Sequence, residues 1–128
     1  MFVVFVEIDL KMAERGISLQ DLIDRFHLSQ DQLNEEVSTE HLREVFKNIE
    51  DHEIVGLELG LTSAEMNTIT SSDVNKPELQ KLKMLRKWKQ KYSWKATYRK
   101  FIEGLIKCSR GDHARDVCEL LTKRKYHN

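Results

Sequence analysis

Two cysteines and a histidine near the carboxyl-terminal end are the residues whose types and spacing come closest to a chemical site. Cys108, His113 and Cys118 follow one another at intervals of five residues, and thiolates and imidazoles are the ligands that zinc prefers. A zinc site would need a fourth ligand, and these three residues would have to converge from the end of one helix and the body of the next. We therefore expect reduced, partly buried thiols rather than a metal site or a nucleophile.

The sequence contains none of the short motifs that mark common catalytic or nucleotide-binding sites. It has no glycine-rich phosphate loop, no G-x-S-x-G nucleophile motif and no H-E-x-x-H zinc motif. Its histidines show no ligand spacing with the cysteines. The expectation is a protein that is not an enzyme and that has no catalytic residues, no cofactor and no metal.

A basic stretch could serve nucleic-acid binding instead. Residues 81–100, KLKMLRKWKQKYSWKATYRK, hold nine Lys or Arg, four aromatic residues and no acidic residue. Aromatic rings that stack on bases must stand among the basic groups on an exposed surface. Trp88 and Tyr92 instead follow the apolar stripe of one predicted helix, and Tyr98 follows that of the next. Only Trp94, near a predicted helix start, fits an exposed ring.

Residues 18–37, SLQDLIDRFHLSQDQLNEEV, suggest two helices joined by a tight turn. This gives the alternative function, a helix-turn-helix-like nucleic-acid-binding domain that uses the basic stretch at 81–100. However, residues 29–40 contain several carboxylates and no basic residue. A recognition helix of that charge would be repelled by phosphates, so the pattern disfavours nucleic acid as a partner.

Helices are predicted nearly throughout, because the chain has one Pro and five Gly and its apolar residues recur at intervals of three and four. The opening MFVVFVEI could be a strand or a helix, and Gly16 favours a helix end after it. Predicted helix starts lie at Ser18, Ser29, Ser38, Thr62, the turn of Asn75 and Pro77, and Ser93. Predicted helix ends lie at Gly60 and Gly111.

The net charge of zero hides a strong asymmetry along the chain. Residues 1–66 carry 15 acidic and 5 basic side chains, whereas residues 67–128 carry 6 acidic and 16 basic ones. A chain divided in this way can attract copies of itself or a similarly polarised protein, mainly by speeding encounter. No apolar run approaches the ~20 residues that span a bilayer, and no signal peptide is expected.

The ordered segments IVGLELGLTSAEMNTI, LRKWKQ and FIEGLIKCSRGDHARDVCELL, between Ser38 and Leu121, resemble the death domain family. The resemblance covers about two thirds of the chain. It implies an all-α fold, a six-helix antiparallel Greek-key bundle (the death fold), with an additional N-terminal helical segment. The domains would be an N-terminal extension or the end of a preceding module at 1–37, a death domain at 38–122 and a basic tail at 123–128.

The resemblance also implies a function. Death domains join like domains in cytoplasmic signalling assemblies, including those of apoptosis and innate immunity, and have no catalytic centre. The expected partners are other death-domain proteins and copies of this chain, with neither nucleic acid nor membrane involved. We expect an acidic patch to bind a basic patch on the partner: Glu50, Asp51, Glu53, Glu58 and Glu65 form the first, and Lys83, Arg86, Lys87 and Lys91 the second.

The chain departs from the family at His52, which aligns with a position where death domains often have a tryptophan. A histidine in a predominantly apolar interior needs a hydrogen-bond partner. His52 could be a lid at the edge of the core or simply a surface residue, and of these we expect a partly buried side chain with a hydrogen-bond partner.

Overall fold

Every regular element in the described part of the chain is helical, as predicted. The computed structural model describes residues 17–127, and side chains through residue 123. The elements are α1 (Leu19–Phe26), α2 (Gln30–Leu33), α3 (Thr39–Phe46), α4 (His52–Glu58), α5 (Ser63–Ser72), α6 (Pro77–Tyr92), a 3-10 turn (Ser93–Lys95), α7 (Tyr98–Lys107) and α8 (Gly111–His127). The predictions for the opening segment and for Gly16 lie outside these residues. Among the helices described, none is both long and apolar enough to cross a membrane.

Side-chain caps begin several helices where the sequence predicts them. Ser18, Ser29 and Thr62 each accept a hydrogen bond from the backbone N–H three residues later, and the side chain at that position accepts one from the cap's own N–H. Ser38 caps α3 by accepting from the backbone N–H of His41 at 3.1 Å. These bonds join residues three apart, so a short sequence pattern is enough to predict them.

Two predicted boundaries are wrong. Ser93 does not cap α7 but ends α6, in a backbone conformation with φ of 51°. The cap of α7 is Thr97, whose hydroxyl accepts from the backbone N–H of Lys100 at 3.3 Å. Gly111 does not end α7 but begins α8, because Ser109 has taken the left-handed conformation that closes the preceding helix, with φ of 60°.

The core is continuous and is centred on aromatic rings from α3, α6 and α7. Phe46 stacks on Phe101 with ring centroids 5.7 Å apart, and Trp88 lies against the same ring at 5.9 Å. Trp88 and Tyr98 are buried, and Tyr92 is half-buried. The prediction that these rings point inward is therefore confirmed. Short helices such as α3 and α4 are marginal alone and depend on this packing.

The N-terminal segment shares the same core. Helix α1 packs against α7 and α8, and α2 packs against α7. Leu22, Leu33 and Val37 are completely buried. The backbone N–H of Val37 donates to the carbonyl of Ala96 at 2.9 Å, and that of Tyr98 donates to the carbonyl of Glu35 at 3.1 Å. Residues 17–37 thus form a helical hairpin packed on the bundle.

Candidate protein interaction surfaces

The turn between α4 and α5 is held by side chains from α6. The indole N–H of Trp88 donates to the carbonyl of Leu59 at 3.1 Å. The hydroxyl of Tyr92 and Nζ of Lys91 both donate to the carbonyl of Gly60 at 3.0 Å. These are carbonyls that the end of a helix leaves without a partner within the helix. The position of α4 relative to α6, and hence of the charges that the two helices carry, is fixed by these bonds.

The acidic patch is spread over the loop before α4, over α4 itself and over α5. Glu50 and Glu53 are exposed near the start of α4, and Glu58 is exposed at its end. Within the described residues none of these three has a cationic side chain within 4 Å. They remain available for contact with another molecule. The other two members, Asp51 and Glu65, are engaged within the chain.

Asp51 forms an ion pair with Arg110, which approaches through both Nε and Nη2. Burial alone would raise the pKa of Asp51, but the hydrogen bond from Arg110, a backbone hydrogen bond and the charge of Arg110 together outweigh burial and lower that pKa below its ordinary value. The pair fastens the start of α4 to the loop between α7 and α8. We infer that Asp51 serves the fold rather than an interaction surface.

Glu65 lies beside the basic patch instead of apart from it. Its carboxylate is 2.8 Å from Nζ of Lys91 and 3.8 Å from Nζ of Lys87. The hydrogen bond from Lys91, with a further one from the backbone N–H of Thr62, lowers the pKa of Glu65 to about 2. The same bond raises the pKa of Lys91. One acidic and two basic residues of the expected patches are thus in contact within the chain, and the single carboxylate compensates one of the two positive charges.

The basic patch follows the exposed side of α6. Lys83 forms an ion pair with the buried Asp73 at 2.7 Å, and Lys87 and Lys91 contact Glu65. Arg86 is exposed and, among the described residues, has no carboxylate within 4 Å. Arg86 is therefore the member of the patch whose charge is least compensated by its own chain.

His52 is buried and hydrogen-bonded, as predicted. It is 5% exposed, and its Nε2 lies 2.9 Å from Oε1 of Gln80 in α6. Gln80 in turn donates through Nε2 to the backbone carbonyl of Asp73 at 2.7 Å. This network joins α4, α6 and the loop before α6. The histidine is thus a structural link between helices.

The residues that could have formed a chemical site are not arranged for one. Burial raises the pKa of the Cys108 thiol to about 11 and that of Cys118 to about 12, so both are protonated at neutral pH. Both cysteines are free, as predicted. His113 lies beside the carboxylate of Asp116, 3.6 Å away. In the part of the chain that the structure describes, no cluster of three metal-binding side chains occurs.

Three exposed apolar side chains stand close to the charged residues. Ile54 and Leu57 on α4 are 53% and 45% exposed, and Trp94 in the 3-10 turn is 70% exposed. The exposure of Trp94 agrees with the sequence analysis. Ile54 and Leu57 were missed, although both lie off the apolar stripe of α4 that contains Val55 and could have been found from that spacing.

Helix α2 is too short for a recognition helix. It has only four residues, and its Leu33 is buried in the bundle. The basic stretch is likewise divided between α6, the 3-10 turn and α7, and most of its aromatic rings are turned inward. Trp94, exposed beside Lys95, is the one ring of the basic stretch that meets the requirement for base stacking. A single such ring gives the nucleic-acid-binding alternative little support.

Comparison with known proteins identifies the bundle. The family model described as Death domain matches residues 39–121, which span the region of α3 to α8. This agrees with the family resemblance and with the all-α death fold predicted from the sequence. No curated protein and no solved structure gave a significant match to the chain.

Proposed function

The chain belongs to the death domain family, and on that basis we propose that it is a non-catalytic domain that binds other death-domain proteins and copies of itself in cytoplasmic signalling assemblies. Death domains are protein–protein interaction modules of signalling, and the match to residues 39–121 is the observation that carries the proposal. The non-catalytic role, the homotypic mode of binding and the cytoplasmic location are the parts that we add to that general role.

The charges that remain uncompensated support a homotypic contact. Glu50, Glu53 and Glu58 offer negative charge around α4, and Arg86 offers positive charge on α6. Helices α4 and α6 are fixed relative to each other. A second domain with a similar charge distribution can therefore bind α4 through its basic side or α6 through its acidic side. Such pairing speeds encounter and selects partners, and it weakens as salt rises. We therefore propose that the acidic and basic patches bind through these members rather than through Asp51 or Glu65.

We also propose the predicted division of the chain, with the death domain at 38–122 and a basic tail after it. In this proposal residues 17–37 support the bundle instead of forming a second binding module, because their apolar side chains are buried in the same core. The binding surfaces then belong to α4, α6 and the turn that follows α6.

The test is the size of the full chain in solution across ionic strength, measured by light scattering. We expect self-association at low salt that declines as salt rises, and loss of binding to other death domains when Arg86→Glu is combined with Lys87→Glu. A variant with Arg25→Glu and Lys47→Glu, exposed sites on other parts of the fold, changes the net charge equally and should still associate. Far-ultraviolet circular dichroism must remain unchanged in both variants.

A second arm measures binding to purified death domains from other proteins by fluorescence polarisation. A chain that neither self-associates nor binds any death domain tested would overturn the proposed function. Strong, salt-dependent binding to single-stranded DNA or RNA in the same assay would replace it with the nucleic-acid-binding alternative.

A further inference from the structure

Two exposed apolar sites on this chain have rims of opposite charge. On α4, Ile54 and Leu57 lie one turn apart and are each about half exposed. Glu53 and Glu58 flank them and have no cationic partner within 4 Å among the described residues. Apolar side chains surrounded by uncompensated charge are typical of the centre and rim of a protein contact. We refer to these four residues as the acidic ridge.

The second site is the corner between α6 and α7. Trp94 is the most exposed large apolar side chain described, at 70%, and Nζ of Lys95 lies 5.3 Å from the centre of its ring. Lys95 and Lys100 have no carboxylate partner within 4 Å in the described part of the chain. Tryptophan is among the residues that contribute most to binding when a partner covers them. We refer to Trp94, Lys95 and Lys100 as the basic corner.

The basic corner is held rigidly. Ala96 is fully buried, and its carbonyl accepts the 2.9 Å hydrogen bond from the backbone N–H of Val37. Its own N–H donates to the carbonyl of Ser93 at 3.0 Å. A side chain presented on a fixed backbone loses less conformational freedom when it is bound than one on a mobile loop. The backbone that carries Trp94 is thus held in place by the fold.

The acidic ridge and the basic corner border the same groove. A cavity of about 290 Å³ lies between α4 and the α6–α7 region, with Leu59 and Trp88 among its lining residues. Glu58 of the acidic ridge lines this groove, as do Lys95 and Lys100 of the basic corner, and Glu103 and Lys107 complete the charged part of the lining. The two charged sites are therefore neighbours on one continuous surface.

We propose that this surface binds a second copy of the chain in a two-fold symmetric dimer, in which the acidic ridge of each copy covers the basic corner of the other. The inference rests on the proposed function and narrows it: self-association uses the acidic ridge and the basic corner, and the contact through Arg86 binds other death-domain proteins. A two-fold contact uses the same patch on both copies, so that patch must be self-complementary. A surface that carries an apolar site with an acidic rim beside an aromatic site with a basic rim meets this requirement.

The sedimentation equilibrium of the full chain at low salt tests the symmetry. We expect the mass to level off at twice the 15.1 kDa of the chain and to fall toward the monomer as salt rises. A chain that stays monomeric, or complexes that continue to grow beyond the dimer, would overturn the proposal, since a head-to-tail contact does not close at two copies unless it is two-fold.

Substitutions test the two sites. Trp94→Ala should raise the dissociation constant by about 30-fold or more, as expected for a central aromatic residue. Val74→Ala is the matched control, because Val74 is 63% exposed but lies in the loop between α5 and α6. A Trp94→Ala dimer as tight as the wild type would contradict the proposal.

A charge exchange gives the sharpest result. Glu58→Lys or Lys95→Glu alone should prevent dimerisation, because either substitution places like charges opposite each other. A two-fold dimer contains that repulsive contact twice. An equimolar mixture of the two single variants should restore the dimer, since both contacts of the mixed pair again join opposite charges. Failure of the mixture to associate while both variants remain folded by circular dichroism would rule out this pairing.

The same measurements separate this inference from the proposed function. Association that is lost in the Arg86→Glu and Lys87→Glu variant but unaffected by changes at 58, 94 and 95 would overturn the two-fold dimer and leave homotypic binding in place. A monomeric chain that binds another death domain would likewise overturn the two-fold dimer and leave binding between death domains in place. Absence of binding to any death domain, including this one, would overturn both.

Discussion

The hydroxyl of Tyr92 donates a 3.0 Å hydrogen bond to the carbonyl of Gly60, across the contact between α6 and the end of α4. The close approach requires glycine at position 60. Gly60 has φ of 106°, and a Cβ at this position would lie 2.2 Å from the Tyr92 hydroxyl oxygen. The turn after α4 is therefore shaped by a side chain 32 residues away.

Gly60→Ala should destabilise the fold by about 2–6 kcal/mol, because it adds both backbone strain and a steric clash. Tyr92→Phe alone should cost about 0.5–1.5 kcal/mol through the lost hydrogen bond. In the Tyr92→Phe background, Gly60→Ala should cost less than in the wild type, since the hydroxyl that it meets is gone. Urea unfolding followed by circular dichroism measures all three variants. Equal costs in the two backgrounds would show that the clash is not the cause.

The same substitution should change the stability of the fold very differently at the two tryptophans. Trp88→Phe removes the donor to the buried carbonyl of Leu59 and leaves a gap beside Phe101, so we expect a loss of about 2–4 kcal/mol. Trp94→Phe changes an exposed ring and should stay within about 0.5 kcal/mol of the wild type. Chemical denaturation monitored by far-ultraviolet circular dichroism compares them. Similar losses at the two positions would contradict the assigned burial.

The ion pair of Glu65 and Lys91 makes the stability of the fold depend on pH in the acid range. The pKa of Glu65 is lowered from 4.5 to about 2, so the stabilisation is present above pH 4.5 and is lost as the pH falls through the folded-state pKa. Glu65→Gln keeps an acceptor for the N–H of Thr62 but lacks the charge. We expect the wild type to lose more stability than this variant between pH 4.5 and pH 2, as judged from urea midpoints. Parallel pH profiles would exclude the ion pair as the cause.

The N-terminal hairpin should unfold together with the bundle. Leu33→Ala should cost about 2–5 kcal/mol, in the range of Leu42→Ala in α3, because both side chains are completely buried. Leu57→Ala, at an exposed position of α4, is the control and should have little effect. Calorimetry would show one transition that shifts in both buried-site variants. Two separate transitions, with the main one unmoved by Leu33→Ala, would make residues 17–37 an independent module.

What could be predicted from the sequence was set by short-range interactions. The caps at Ser18, Ser29 and Thr62 involve residues three positions apart and were predicted correctly. Ser93 has the residue type of a helix cap, but a turn separates it from the start of α7. That turn is held by a hydrogen bond between Val37 and Ala96, which are too far apart in the sequence for a local pattern to show. Gly111 was misassigned because Ser109, a residue that seldom takes the left-handed conformation, closes α7 instead.

The candidate site was harder to predict than the fold, for a related reason. Charge counts placed Glu65 in an acidic half of the chain and Lys91 in a basic half, 26 residues apart. Whether such residues face a partner or each other depends on how α6 is rotated against α5, which is decided by the burial of residues such as Met84 and Trp88. The sequence showed that opposite charges were present, but not that several of them are paired within the chain.

The corner at residues 93–97 is immobilised by backbone atoms and by the small side chain of Ala96. The side chains at positions 94 and 95 contribute little to that restraint. Selection can therefore change these two residues, and with them the preferred partner, at almost no cost to folding. Recognition and stability are separable at this corner, so a family built on this framework could acquire new specificities there by single substitutions.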